Sequence, residues 1–247
     1  MVKFFFVSYI MVFSKLNGKE AKSYLTKKKN FSNNLVEFFR KENTNDTFFF
    51  TEQLVLTNKY INLISKKTEF NIYRKHFLDT LTIVIFFKCF EKKKKKNACV
   101  DIGTGSGFPG LLLSILLPES FFLLVESIQK KSYFHGKIIN FLFLNNSITL
   151  NSRIEGMGKL KEHRGNYDFL TARAVSEINP LIQFSCPLVK KNGKILLFKQ
   201  TKMINEELNY SKNSLKTSKK KIKGIYFVSS LNNGRIILLF QNKKENQ

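Results

Sequence analysis

One stretch of the chain concentrates residues able to hold a charged small molecule: Val100-Asp101-Ile102-Gly103-Thr104-Gly105-Ser106-Gly107-Phe108-Pro109-Gly110. It follows Ala98–Ile102, which reads as a short buried strand. It opens Leu111–Leu117, an apolar helical stretch closed by Pro118. Glycines let a backbone turn sharply and let a ligand approach where a Cβ would stand in the way. Loops that take a dinucleotide use G-x-G-x-x-G and set a pyrophosphate on the helix N-terminus. Here Gly103, Gly105 and Gly107 make G-x-G-x-G, with Asp101 two residues before the first. S-adenosylmethionine carries no pyrophosphate but has a cationic amine and a sulfonium. Asp101 meets that charge, directly or through water. The lysine of a P-loop is missing, which disfavours an NTPase. Glu126 ends the next strand, Phe121–Val125, where a carboxylate can accept hydrogen bonds from both hydroxyls of a ribose. Dinucleotide and methyl-donor folds share that position, so Glu126 supports a nucleoside cofactor without choosing one.

The elements that must position these residues alternate. After the glycine loop come a helix (Ile128–Leu144), a strand (Ile148–Asn151), a strand (Asp168–Ala172), a helix (Ile178–Leu188) and a strand (Lys194–Lys199) following the Asn192-Gly193 turn. Strands alternating with helices predict a doubly wound parallel sheet. The end differs: Gly224–Ser229 and Arg235–Gln241 flank Leu231-Asn-Asn-Gly234, a hairpin signal. The fold class expected is α/β and Rossmann-like, with a seven-stranded, mostly parallel sheet ending in an antiparallel hairpin. That is the layout of class I S-adenosylmethionine-dependent methyltransferases. An N-terminal helical cap would precede the sheet, from Asn30–Lys41, Thr51–Leu63 and Ile72–Phe90, each with apolar residues at helical spacing. The organisation expected is therefore 1–27 as a leader or extra segment, 28–97 as cap with a Lys-rich insertion at 91–97, and 98–247 as the catalytic domain. Phe4–Phe13 is apolar and flanked by lysines, but about half the length that spans a bilayer. A secretory or organelle-import leader and a Phe-rich helix packed on the domain both stand open there.

The chain has 247 residues, 42 Lys and Arg against 18 Asp and Glu, and a net charge of +24. Such a field favours a polyanion, RNA or DNA. Only six of the 42 are Arg, and Phe, at 26, is abundant, so the lysines also fit an A/T-rich coding bias. With 43% hydrophobic residues, 12 Gly and 4 Pro, the chain is neither disordered nor collagen-like. Three scattered cysteines exclude a disulfide framework. With no C-x-x-C pair, no metal site is expected. His76 and Asp79, three apart on one helix face, read as a hydrogen-bonded link between cap and sheet, with a catalytic pair as the alternative. His135 and His163 read as exposed. Phe121-Phe122 reads as core, and Phe48-Phe49-Phe50 as core or hinge.

Several ordered motifs resemble the bacterial small-subunit ribosomal RNA methyltransferase G family, also called glucose-inhibited division protein B. The resemblance runs from about Phe31 to Phe240. It is carried by Phe108-Pro109-Gly110 after the loop, Glu126-Ser127 with Lys130-Lys131, Ser152-Arg153-Ile154-Glu155 and Tyr167-Asp168-Phe169-Leu170-Thr171-Ala172-Arg173-Ala174. Asn58–Leu63 and His76-Phe77-Leu78-Asp79 match its N-terminal helices. Departures are Thr57 for a Trp, Lys75 for an Arg, Glu126 for an Asp and Gln200 for a Gly.

The resemblance implies methyl transfer from S-adenosylmethionine to N7 of one guanosine of small-subunit (16S-type) rRNA. Asp101, Gly103, Gly105, Gly107, Phe108, Glu126, Ile154, Glu155 and Arg173 would form the cofactor site, with Ile154 and Glu155 framing the adenine. Arg173 and Lys199 would position the substrate, since N7 carries a lone pair and no proton and needs no general base. Arg173 has a structural alternative, an ion pair with Glu155 or Asp168. Lys130, Lys131 and Lys137 would meet phosphate, supplying salt-dependent affinity. The partner expected is small-subunit rRNA or the assembling subunit, with no membrane and a monomer by default. The compartment is a bacterial cytoplasm or, if residues 1–27 are a leader, an organelle interior. Two rivals are a non-catalytic rRNA-binding assembly factor and a methyltransferase of another substrate. An NAD-dependent oxidoreductase ranks behind them.

Overall fold

The computed structural model describes residues 45–72, 76–77, 79–81, 83–84, 96–173, 177–200, 222–229 and 235–242. The leader-like segment, Asn30–Lys41 and all of the lysine run but Lys96 lie outside these residues. In chain order the elements are α1 (Asn45–Asn58), α2 (Lys66–Glu69), β1 (Ala98–Ile102), α3 (Gly110–Leu116), β2 (Phe121–Glu126), α4 (Gln129–Phe141), β3 (Ser147–Asn151), α5 (Ile154–Met157), β4 (Tyr167–Arg173), α6 (Ile178–Ser185), β5 (Val189–Gln200), β6 (Ile222–Ser229) and β7 (Arg235–Asn242). Residues 76, 77, 79–81, 83 and 84 are helical as well. No helix among the described residues is long and apolar enough to cross a membrane.

The seven strands form one sheet in the order β3-β2-β1-β4-β5-β7-β6. β1 pairs in parallel with β2 and β4, β2 with β3, and β4 with β5. β7 pairs antiparallel with both β5 and β6. The chain leaves β1 toward β2 and β3, then returns to its other side for β4 and β5. A crevice is left at that reversal, outside the carboxyl ends of the strands.

Strand side chains alternate faces with period two, which is why buried parallel strands read as continuous apolar runs. Cys99, Phe122, Leu124, Phe169, Leu196 and Phe198 point to one face, packed by α1, α3, α4 and the helical residues of 76–84. Val100, Ile102, Leu123, Val125, Leu170, Ala172, Ile195 and Leu197 point to the other, packed by α5 and α6. Phe50, Leu54, Phe77 and Leu81 share the first cluster with Phe108 and Leu111, so the described cap residues and the sheet have one core.

Several boundaries differ from the sequence expectation. α1 starts earlier and stops at Asn58, whose side-chain oxygen accepts the backbone N–H groups of Leu63 and Ile64, both at 2.9 Å. α4 ends at Phe141, just before Phe143 turns left-handed at φ 51°. α6 is three residues shorter at its end than the stretch to Leu188. β5 begins at Val189, and its pairing jumps from Tyr167↔Val189 to Phe169↔Lys194, with Asn192 left-handed at φ 66° inside the irregularity. α5, one turn long, has no counterpart in the expectation. Phe122 is core, but Phe121 is half out in solvent. Of Phe48–Phe50, only Phe50 is fully buried.

Candidate functional site

The site starts at the glycine loop. Gly103, Gly105 and Gly107 have φ of 64°, 61° and 95°, the left-handed region where a Cβ is costly. The N–H groups of Gly103 and Thr104 reach back to the Val125 carbonyl at 2.8 and 3.2 Å, which holds the loop along the end of β2. Space differs around the glycines. A Cβ on Gly110 would lie 2.5 Å from the Asp101 Cβ and Oδ2 and 2.7 Å from a Leu124 methyl. That glycine lets α3 close on the sheet. A Cβ on Gly105 would meet only the Gly103 carbonyl, at 3.6 Å. The loop is therefore open to close approach at Gly105.

Asp101 lies on the α3 face of β1 and is fully buried. Its Oδ2 accepts the Gly110 N–H at 3.0 Å and its Oδ1 accepts the Thr171 hydroxyl at 2.6 Å. The carboxyl thereby ties β1 to the first residue of α3 and to β4. Burial pushes its pKa up to about 6, against the pull of the Thr171 and Gly110 hydrogen bonds and the Arg173 charge.

Glu126 ends β2 at the same edge and is nearly buried. Its two oxygens accept backbone N–H groups, Oε2 from Gly105 at 2.8 Å and Oε1 from Ile128 at 2.9 Å. A carboxylate has about four acceptor sites, so capacity for two hydroxyls remains. That donor demand fits the ribose of S-adenosylmethionine, and the open Gly105 peptide beside it fits close approach by the rest.

His135 is the functional residue that sequence reasoning missed. It was expected exposed; it is fully buried, because Ser132, His135, Ile138 and Ile139 fall on the inward stripe of α4. That three-four spacing was the available signal. Its Nε2 lies 2.9 Å from the Gly105 carbonyl and donates to it. The Gly105 residue is thus gripped at both ends, its N–H by Glu126 and its C=O by His135. Burial lowers the His135 pKa to about 4, outweighing the Gly105 hydrogen bond and the Glu126 charge, which raise it; Lys131 lowers it further. The ring is neutral at physiological pH. His163, also expected exposed, is half-buried, with Nδ1 2.8 Å from the Tyr167 hydroxyl.

The remaining sequence candidates divide. Phe108 is buried, its ring 5.2 Å from Phe50, 5.0 Å from His76 and 5.6 Å from Phe77. Its side chain anchors the loop to the cap. Ile154 is buried and Glu155 exposed at the start of α5, just past β3. Arg173 ends β4 and Lys199 sits near the end of β5, both half-buried at the same carboxyl edge. The ion-pair partner given to Arg173 by the structure is Asp79, at 3.6 Å, not Glu155 or Asp168. Asp168 instead accepts the Ala98 N–H at 2.9 Å and pairs with Lys190 at 2.8 Å. The cap is therefore joined to the sheet through Asp79–Arg173 and through His76 on Phe108. Lys130 and Lys137 are exposed and Lys131 half-buried on α4.

Comparison with known proteins agrees with this architecture. Residues 43–235 match the family model described as rRNA small subunit methyltransferase G. The chain is 40% identical over 168 residues to the ribosomal RNA small subunit methyltransferase G of Clostridium perfringens (strain SM101 / Type A), covering 68% of each chain. It is 34% identical over 195 residues to that of Lactococcus lactis subsp. lactis (strain IL1403), covering 78% of this chain and 80% of the relative. Among solved structures, a CurJ carbon methyltransferase aligns with a TM-score of 0.53 at 12% identity, over 94% of this chain and 72% of that one. A predicted O-methyltransferase from Agrobacterium tumefaciens aligns with a TM-score of 0.50 at 11% identity, over 62% and 77%. At such identities these two show the fold alone, a Rossmann-like methyltransferase fold.

Proposed function

The chain belongs to the rRNA small subunit methyltransferase G family, and on that premise we propose that it transfers a methyl group from S-adenosylmethionine to N7 of one guanosine in small-subunit rRNA. The observation that carries the reading is the Glu126 carboxylate held at the carboxyl edge against the open Gly105 peptide. When bound, the cofactor supplies an electrophilic methyl group on a sulfonium.

The rest is the work of this chain. Glu126 takes the ribose hydroxyls on the acceptor capacity left by Gly105 and Ile128. Ile154 offers apolar surface and α5 its backbone amides to the adenine. His135 and Glu126 hold the Gly105 peptide so that it needs no reorganisation on binding. Asp101 and Phe108 work from behind the loop, the first tying it to β1 and β4, the second to the cap. Arg173 and Lys199 hold phosphate or the O6 of the guanine, leaving the N7 lone pair free to attack the methyl group. Guanine N7 has a lone pair and no proton, so the chemistry asks for alignment and exclusion of water rather than a general base. The substrate is naked small-subunit rRNA or the assembling subunit, and the working unit is a monomer.

The test is methyl transfer from labelled S-adenosylmethionine to small-subunit rRNA and subunits, with wild type beside Glu126→Gln. Chemical cleavage at N7-methylguanosine maps the product. A single labelled guanosine, with cofactor affinity lost in the variant, is the expected result. Salt-sensitive RNA binding without label would replace the reading with a non-catalytic assembly factor. Label on a different atom or molecule would replace its substrate.

A further inference from the structure

A groove of about 540 Å³ runs along the outer side of α4, against β3, the strand that ends the described sheet on that side. Its wall is one stripe of the helix, in which Tyr133, Lys137 and Phe141 follow at four-residue steps. Tyr133 is 76% exposed and Phe141 58%. Lys137 carries its Nζ 5.9 Å above the Phe141 ring. The floor is formed where the Ser132 and Thr149 hydroxyls meet at 3.0 Å, beside Gly136. Gln129, Asn140 and Asn151 add amide donors and acceptors, and no carboxylate among the described residues lines the groove.

We propose that this groove binds a single-stranded segment of the RNA substrate, with unpaired bases stacked on Tyr133 and Phe141 and phosphate met by Lys137. The proposal rests on the RNA-substrate reading above. Three features select RNA over other occupants. Exposed rings with adjacent cations are what unpaired bases and their backbone require, because every base has a π-face and every linkage a charge. Amides lining the groove match base edges. The charge is complementary, locally and in a chain of +24. Tyr133 and Phe141 lie eight residues apart, about 12 Å along the helix, which is a few nucleotides of stacked strand at about 3.4 Å each. The groove leads to the chemistry. Asn151, at its upper end, donates from Nδ2 to the Glu126 carbonyl at 2.8 Å. A strand laid in the groove therefore arrives at the carboxyl edge that carries Glu126.

The test is binding of the full chain to a labelled, short, unstructured RNA, to naked small-subunit rRNA and to assembled small subunits, read by anisotropy across a salt series. Tyr133→Leu keeps an apolar side chain at an exposed position and removes the ring. It is expected to weaken binding at least about fivefold with the salt slope unchanged. Tyr133→Trp restores it. Lys137→Gln is expected to lower the slope of log K against log salt by about 0.7. Phe141→Leu is the second ring variant, with its contact to Phe49 (5.5 Å between centroids) checked by thermal melting. Unchanged affinity in Tyr133→Leu overturns the proposal. So does a loss seen only on assembled subunits, which would make the groove a protein-docking face. If wild type methylates rRNA and the ring variants bind and react as it does, the groove alone falls. If wild type binds neither RNA, the substrate reading falls with it.

Discussion

His135 and Asp101 sit on the same face of the sheet and titrate in opposite senses, which makes their pH dependence a sharp test of the site. The folded chain keeps His135 neutral down to about pH 4, whereas the unfolded side chain takes its proton near 6.5. Between those values the unfolded state binds more protons, so the His135 contribution is full above 6.5 and lost as pH falls to about 4. A shift of that size corresponds to about 3 kcal/mol. Asp101 runs the other way. Its folded carboxyl holds a proton up to about pH 6, against 3.8 unfolded. Its contribution is present below 3.8 and lost, again by about 3 kcal/mol, as pH rises through 6. Across roughly pH 4–6 the two slopes cancel in wild type. His135→Gln retains a donor for the Gly105 carbonyl and removes the ring nitrogen Nδ1, which is buried without a hydrogen bond. Its stability should fall by about 2 kcal/mol from pH 4 to 6. Asp101→Asn can still accept from Gly110 while its amide donates to the Thr171 hydroxyl. Its stability should instead rise by about 3 kcal/mol from pH 4 to 6.5, and the double variant should be nearly flat. Urea unfolding at closely spaced pH values, extrapolated to water, measures all four chains. Parallel curves for wild type and His135→Gln would refute the claim that burial holds the imidazole neutral.

Two further outcomes separate holding the loop from using it. Gly110→Ala puts a methyl group 2.5 Å from Asp101 and should cost about 1–3 kcal/mol of stability by overpacking. Gly105→Ala meets only an ordinary contact and should cost about 1–2 kcal/mol, from its left-handed backbone, while abolishing S-adenosylmethionine binding measured by calorimetry. Loss of binding in proportion to stability in both would show that Gly105 faces no ligand. For the cap, Asp79→Asn removes the charge opposite Arg173. It should leave S-adenosylmethionine affinity within about twofold while raising KM for rRNA, because the guanidinium loses the ion pair that orients it toward the cap. An unchanged KM would return Arg173 to a purely structural role.

What was legible in the sequence was what contiguous residues encode. The strand runs at 98–102 and 121–126 and the glycine loop between strand and helix each carry their own conformational preference. Their alternation implies the layered sheet. Glu126 was legible as the acid at a strand end, because strand and register place it there whatever surrounds it. Questions of which side chain meets which were decided only by the packed structure. Asp101 alternates onto the α3 face, where Gly110 and Thr171 claim both oxygens. Arg173 meets Asp79 from the cap rather than Glu155 or Asp168, which are nearer in sequence. His135 looked like a surface residue beside lysines until α4 was laid on the sheet and its inward stripe closed over the Gly105 carbonyl. Periodicity says that a residue faces inward. Only tertiary packing says which group waits there, because hydrogen bonds and desolvation depend on atoms that are distant in sequence and adjacent in space.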